Sequence, residues 1–188
     1  KRYQPSAEFR DQIARSIGAR KAPSFLSIRS FAFAALAIIA IALGVLTYQR
    51  RDVSFDREIA DVHLSTIASS NPIDVVSTDQ HTVKPWFQGK VPFSFNLPEL
   101  ANSPFTLAGG KLIYVRNTPT ALLLFQYRLH KISVLIGSTS ALGSGDETRS
   151  ADGFHIVRWT VGEHSYVMVG DTSPDTLKDL AHRMKEVN

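Results

Sequence analysis

Apolar residues are most concentrated in FAFAALAIIAIALGVLTY, residues 31–48, an uncharged run bounded by Arg29 on one side and by Arg50 and Arg51 on the other. A helix that crosses about 30 Å of hydrocarbon needs roughly 17 to 25 such residues, because lipid offers the backbone no hydrogen-bond partner and a helix satisfies its own. The run meets that length, so the pattern predicts a transmembrane helix over residues 30–49. Seven Lys and Arg precede it, whereas Arg50, Arg51 and Arg57 after it are accompanied by Asp52, Asp56, Glu58 and Asp61. Basic residues are retained on the cytoplasmic side, which places residues 1–29 inside and residues 50–188 outside. Two other readings fit less well: a buried soluble helix usually carries a polar face, and a cleaved signal peptide wants a shorter leader and a small-residue cleavage site, which LTYQR lacks.

Elsewhere the periodicity is that of a small mixed domain. Phe9, Ile13 and Ile17 recur every four positions behind Ser6, predicting a short amphipathic helix ended by Gly18, with Ala22-Pro23-Ser24 breaking the chain before the span. Residues 52–69 read as a second helix with Ile59, Val62, His63 and Ile67 near one face, stopped by Ser70-Asn71-Pro72. β-branched residues 73–76 and 81–83 flank a turn-like STDQ, predicting two short strands. Residues 83–98 carry three prolines and four aromatics, so they are expected to run extended and irregular, pinned by their side chains. Strands follow at 111–116, 121–128 and 132–137, joined by short links as a meander, with Asn117-Thr118-Pro119-Thr120 as the first turn. Leu122 to Phe125 are apolar at successive positions, which marks a strand covered on both faces. STSALGSGDETRSADG, residues 138–153, has the composition of a long mobile loop. Residues 154–161 and 164–170 form a hairpin around Gly162-Glu163, which sets Trp159 opposite Tyr166 and His155 opposite Gly170. Ser173 and Pro174 then open a last helix whose stripe is Leu177, Leu180, Ala181 and Met184. The expected fold class is thus α+β: a single transmembrane helix, then an antiparallel sheet flanked by an N-terminal and a C-terminal helix.

Charge refines this picture. The net charge of +4 divides into a leading segment with seven basic and two acidic residues and a nearly neutral remainder. The basic balance therefore reads as topology and contact with membrane lipid, not as nucleic-acid binding. With no cysteine there is neither a disulfide nor a thiolate metal site. The six histidines show no HxxxH or HExxH spacing, and the chain has no P-loop, no GxGxxG and no nucleophile elbow on a strand. No enzyme activity, metal or cofactor is expected. Ala35, Ala40 and Gly44 form no GxxxG, yet their size permits close helix contact in a homodimer.

PWFQGK followed by FSFNLPEL, then LAGGKLIYV, and finally GFHIVRWTVGEHSYVMVGD with a terminal helix resembles the outer part of single-pass transmembrane bacterial anti-sigma factors. The leading RYQPSAEFRDQIARSIG is similar to the segment those proteins place between their sigma-binding domain and the span. The resemblance implies a negative regulator of a sigma factor, held in the inner membrane with residues 50–188 in the periplasm. The zinc motif usual in the sigma-binding domain is missing from these residues, so either that domain lies upstream of Lys1, where the resemblance places sigma binding, or the protein has lost it. Its further partners would be a periplasmic protein or protease. The alternative is a tethered module for a small ligand, lipid or envelope protein. Trp86, Phe87 and Phe93 are the candidate partner surface, and Ser144, Gly145 and Asp146 the candidate protease-sensitive loop.

Overall fold

The structure, a computed structural model, describes residues 6–17 and 25–188, so the expected stops at Gly18 and at Ala22-Pro23-Ser24 lie outside the described residues. The chain divides into two compact units, Lys1–Gln49 and Arg50–Asn188. The first contains helix α1 (Ala7–Ile17), where the Ser6 carbonyl accepts from the Arg10 N–H at 3.3 Å, and most of the apolar part of helix α2 (Phe25–Ala68).

The expected membrane span is corrected here. Among the described residues, no helix is long and apolar enough to cross a membrane. The apolar run is not a separate helix but part of a 44-residue one that continues into RRDVSFDREIADVH. The single-pass topology, the inside-to-outside orientation and the inner-membrane location are withdrawn with the span.

The second unit is α+β. Seven antiparallel strands, β1 (Val75–Val76), β2 (Phe105–Val115), β3 (Thr118–Tyr127), β4 (His130–Ser138), β5 (Glu147–Ala151), β6 (Phe154–Val161) and β7 (His164–Gly170), form one sheet in the order β1-β2-β3-β4-β7-β6-β5. Alternation sorts their side chains onto two faces. Leu122, Leu135, Ile156, Val167 and Val169 pack with Phe55 and Ile59 of α2. On the opposite face Leu123, Phe125, Val134, Ile136, Trp159, Tyr166 and Met168 pack with helix α5 (Pro174–Lys185) and with Phe87, Phe95 and Leu97 of the proline-rich segment. Both faces are covered, which is why Leu122 to Phe125 are apolar without alternation.

Turn chemistry fixes the register. Arg116 and Asn117 have φ of 49° and 60°, the primed geometry that two-residue hairpins require. The turn is therefore Arg116-Asn117, not Asn117 to Thr120, and Pro119 lies in β3 opposite Tyr114, a position that needs no N–H toward β2. The β6–β7 hairpin has the expected pairs, Trp159 with Tyr166 and His155 with Gly170, and the Trp159 and Tyr166 rings stack at 5.0 Å. Ser173 accepts from the Thr176 N–H at 3.3 Å and Pro174 opens α5, as expected.

Two local expectations fail for identifiable reasons. Residues 81–83 are not a returning strand but belong to helix α3 (Gln80–Trp86), because Asp79 caps it, accepting from the His81 N–H at 2.8 Å. The segment 138–153 is not a long loop: helix α4 (Thr139–Leu142) buries Ala141 and Leu142, and β5 pairs with β6. The inner side of β5 is charged, so hydrophobic patterning carries no sign of it.

Candidate functional site

The partner surface expected at Trp86, Phe87 and Phe93 lies in the segment that covers the α5 face of the sheet. Phe87 is 1% exposed and belongs to the core. It fits there because Gly110 has no side chain: a Cβ on Gly110 would stand 2.9 Å from the Phe87 ring. Trp86 is half-buried, meets Phe87 edge to face at 5.0 Å, and carries the Lys90 ammonium 4.1 Å above its ring. Phe93 is half-buried, 4.9 Å from His164 between ring centres, and lines two neighbouring cavities. One, about 410 Å³, is formed by the turn 87–95; the other, about 260 Å³, lies between Pro92, Pro119, Thr139 and His164. The fold thus separates the three aromatics, leaving Phe93 and the edge of Trp86 at the surface and Phe87 inside. A further cavity of about 390 Å³ has Leu97, Phe105, Leu107 and Phe125 beneath it and Asp79, His81 and Glu99 around it.

The proline-rich segment is held at its far end by the tail of the chain. The Asn96 N–H donates to Asn188 Oδ1 at 2.7 Å, its side-chain amide donates to the Val187 carbonyl at 2.7 Å, and Lys84 Nζ donates to Asn96 Oδ1 at 2.7 Å. Ser144, Gly145 and Asp146, the candidate protease-sensitive residues, are exposed in the short connection between α4 and β5. The Gly145 N–H donates to Thr160 Oγ1 at 3.1 Å and Asp146 pairs with Lys185 of α5 at 2.6 Å, so the connection is tied down at two points.

Sequence reasoning missed the polar cluster where α2 meets the sheet. Arg158, 5% exposed, donates from Nη1 to Glu147 Oε1 at 2.6 Å, and its Nη2 lies 3.5 Å from Asp56 Oδ1. Arg149 reaches the other Glu147 oxygen at 2.8 Å and Asp56 Oδ2 at 3.5 Å. The Arg158 and Arg116 guanidinium groups lie 4.8 and 4.5 Å from the Phe55 ring centre. Two carboxylates facing two guanidinium groups can be buried where one charge alone could not. The signal was present as Arg158 in the middle of the apolar strand HIVRWTV.

His63 is the second buried polar group of this layer. It is 1% exposed, with Nδ1 2.8 Å from Ser133 Oγ and its ring edge-to-face with Phe154 at 5.1 Å. Burial lowers its pKa from 6.5 to about 4, with Lys131 acting in the same direction and Asp171 opposing. The ring is neutral at ordinary pH. Among the described residues there is no group of three or more His, Asp or Glu placed to hold a metal ion.

No family model matches the chain, and no curated protein matches it. Two of the solved structures that show partial likeness are complexes. One is described as the crystal structure of MucB in complex with MucA(peri), 21% identical over 45% of this chain and 34% of that chain, with a TM-score of 0.37. The other is the complex of Pseudomonas aeruginosa MucA/MucB, 22% identical over 45% of this chain and 32% of that chain, also at 0.37. The matched part of this chain spans about a third of each of those proteins.

Proposed function

We propose that residues 50–188 form the regulatory domain of an anti-sigma factor, working by binding a partner protein and not by catalysis. The observation that supports this reading is that the segments carrying the sequence resemblance meet in one core. Phe87 and Phe95 from PWFQGK and FSFN, Leu107 from LAGGKLIYV, and Trp159, Tyr166 and Met168 from the last hairpin belong to the same buried cluster. The mechanism is linkage: a partner that binds this domain changes the hold on a sigma factor by its differential affinity for the free and sigma-bound forms. In cells, a reporter driven by the cognate sigma factor should change several-fold when residues 50–188 are deleted from the protein that carries them. An unchanged reporter at equal protein level would overturn the reading. The other reading, a module that takes a small ligand among Trp86, Phe87 and Phe93, is weakened by the burial of Phe87.

A further inference from the structure

Strand β2 is paired along Phe105–Val115 with β3 on one side, but on the other β1 covers only Gly109 and Gly110. In an antiparallel ladder each residue turns its N–H and C=O toward the same neighbour, and successive residues alternate. Tyr114 stands opposite Pro119, which has no N–H to give. Tyr114 therefore faces away from β3, and so does Leu112. The same parity runs back to Gly110, whose carbonyl accepts from the Asp74 N–H at 2.9 Å on the outer side. Past Gly110 nothing continues this pairing: among the described residues, the backbone groups of Leu112 and Tyr114 have no hydrogen-bond partner.

Natural sheets blunt such edges with proline, a bulge, a very short strand, a covering element or charged side chains, and here the charges stand only at the two ends of the open stretch. The one irregularity of β2 lies between Leu107 and Gly109, below the open half, and residues 111–115 contain no proline. Tyr114 is 68% exposed beside this edge. Lys111 and Arg116 stand at its two ends, and neither has an ion-pair partner among the described residues. They are five positions apart, about 17 Å along a strand.

We propose that this edge takes an extended segment of a partner protein, added as a strand beside β2, with acidic side chains at its two ends facing Lys111 and Arg116. Main-chain bonds to Leu112 and Tyr114 supply affinity, and the flanking charges select the segment. A second copy of β2 is disfavoured as the occupant, because antiparallel pairing brings Lys111 of one copy beside Arg116 of the other. The geometry stands whether or not the partner belongs to a sigma-factor circuit, so this experiment and the reporter experiment fail separately.

The test is amide exchange by NMR on the whole 188-residue chain with the capped peptide EVTVTE, and with KVTVTK as its charge-reversed counterpart. The acidic peptide should slow exchange at Leu112 and Tyr114 about tenfold or more, the basic one far less. Leu112→Pro removes an outward N–H and none of the bonds to β3, so it should abolish the effect while exchange in β3 and β4 stays unchanged. Lys111→Glu, at a side chain with no ion-pair partner among the described residues, should cut the acidic peptide's advantage over the basic one while leaving every backbone N–H in place. No slowing by either peptide, protection at β5 instead, or protection that rises with protein concentration without peptide would each overturn the proposal.

Discussion

Acidification should loosen the packing of α2 on the sheet through His63. The folded chain holds this imidazole neutral, with a pKa of about 4 against an ordinary value of 6.5, because its ring is buried between Ser133 and Phe154. Between those values the unfolded chain binds a proton that the folded chain refuses, so stability falls as pH drops from 6.5 to 4 and levels off below. At about 1.4 kcal/mol per unit, the loss is about 2 kcal/mol between pH 6.5 and 5 and about 3 kcal/mol by pH 4. The assay is urea unfolding at fixed pH values between 7 and 5, followed by tryptophan fluorescence, which reports on Trp159, buried against Tyr166, together with the half-buried Trp86. His63→Gln keeps a polar partner for Ser133 and has nothing to titrate. The wild-type chain minus this variant should show the slope above; parallel curves for the two proteins would refute the reasoning.

Four other changes probe the fold. Arg158→Ala leaves the buried Asp56 and the half-buried Glu147 with Arg149 as their remaining partner and should cost about 2 to 3 kcal/mol, as read from the urea midpoint. Gly109→Ala places a Cβ 2.0 Å from the Val75 carbonyl at a φ of +145°, and should cost about 2 to 3 kcal/mol and detach β1; Gly153→Ala, with open space at φ +87°, should cost about 1 kcal/mol. Lys185→Ala frees Asp146 and should speed cleavage before Asp146 by an Asp-specific protease while shifting stability by no more than about 0.5 kcal/mol.

How far the fold was legible depended on whether burial was apolar. The meander, the last hairpin with its Trp159 and Tyr166 pair, and α5 with its Ser173 cap follow from alternation, a Gly-containing turn and a capped stripe, and the structure has them. Strand β5 was hidden because its inner side chains, Glu147 and Arg149, are charged and become buriable only opposite Asp56 and Arg158, which lie far off in sequence. Helix α3 was hidden by Pro85, which a helix this short tolerates in its last turn. The apolar run was visible, but composition alone did not show that it continues into a long charged helix. At the candidate site, aromatic content pointed to the right segment; it could not show that Gly110 opens room for Phe87 and turns that ring inward.

The most direct measurement is copurification of sigma factor with the full-length product of the reading frame that carries this chain. The regulatory reading predicts that one sigma factor is recovered in stoichiometric amount and that an intact domain over residues 50–188 alters its retention. Recovery of no sigma factor from a folded product would contradict it.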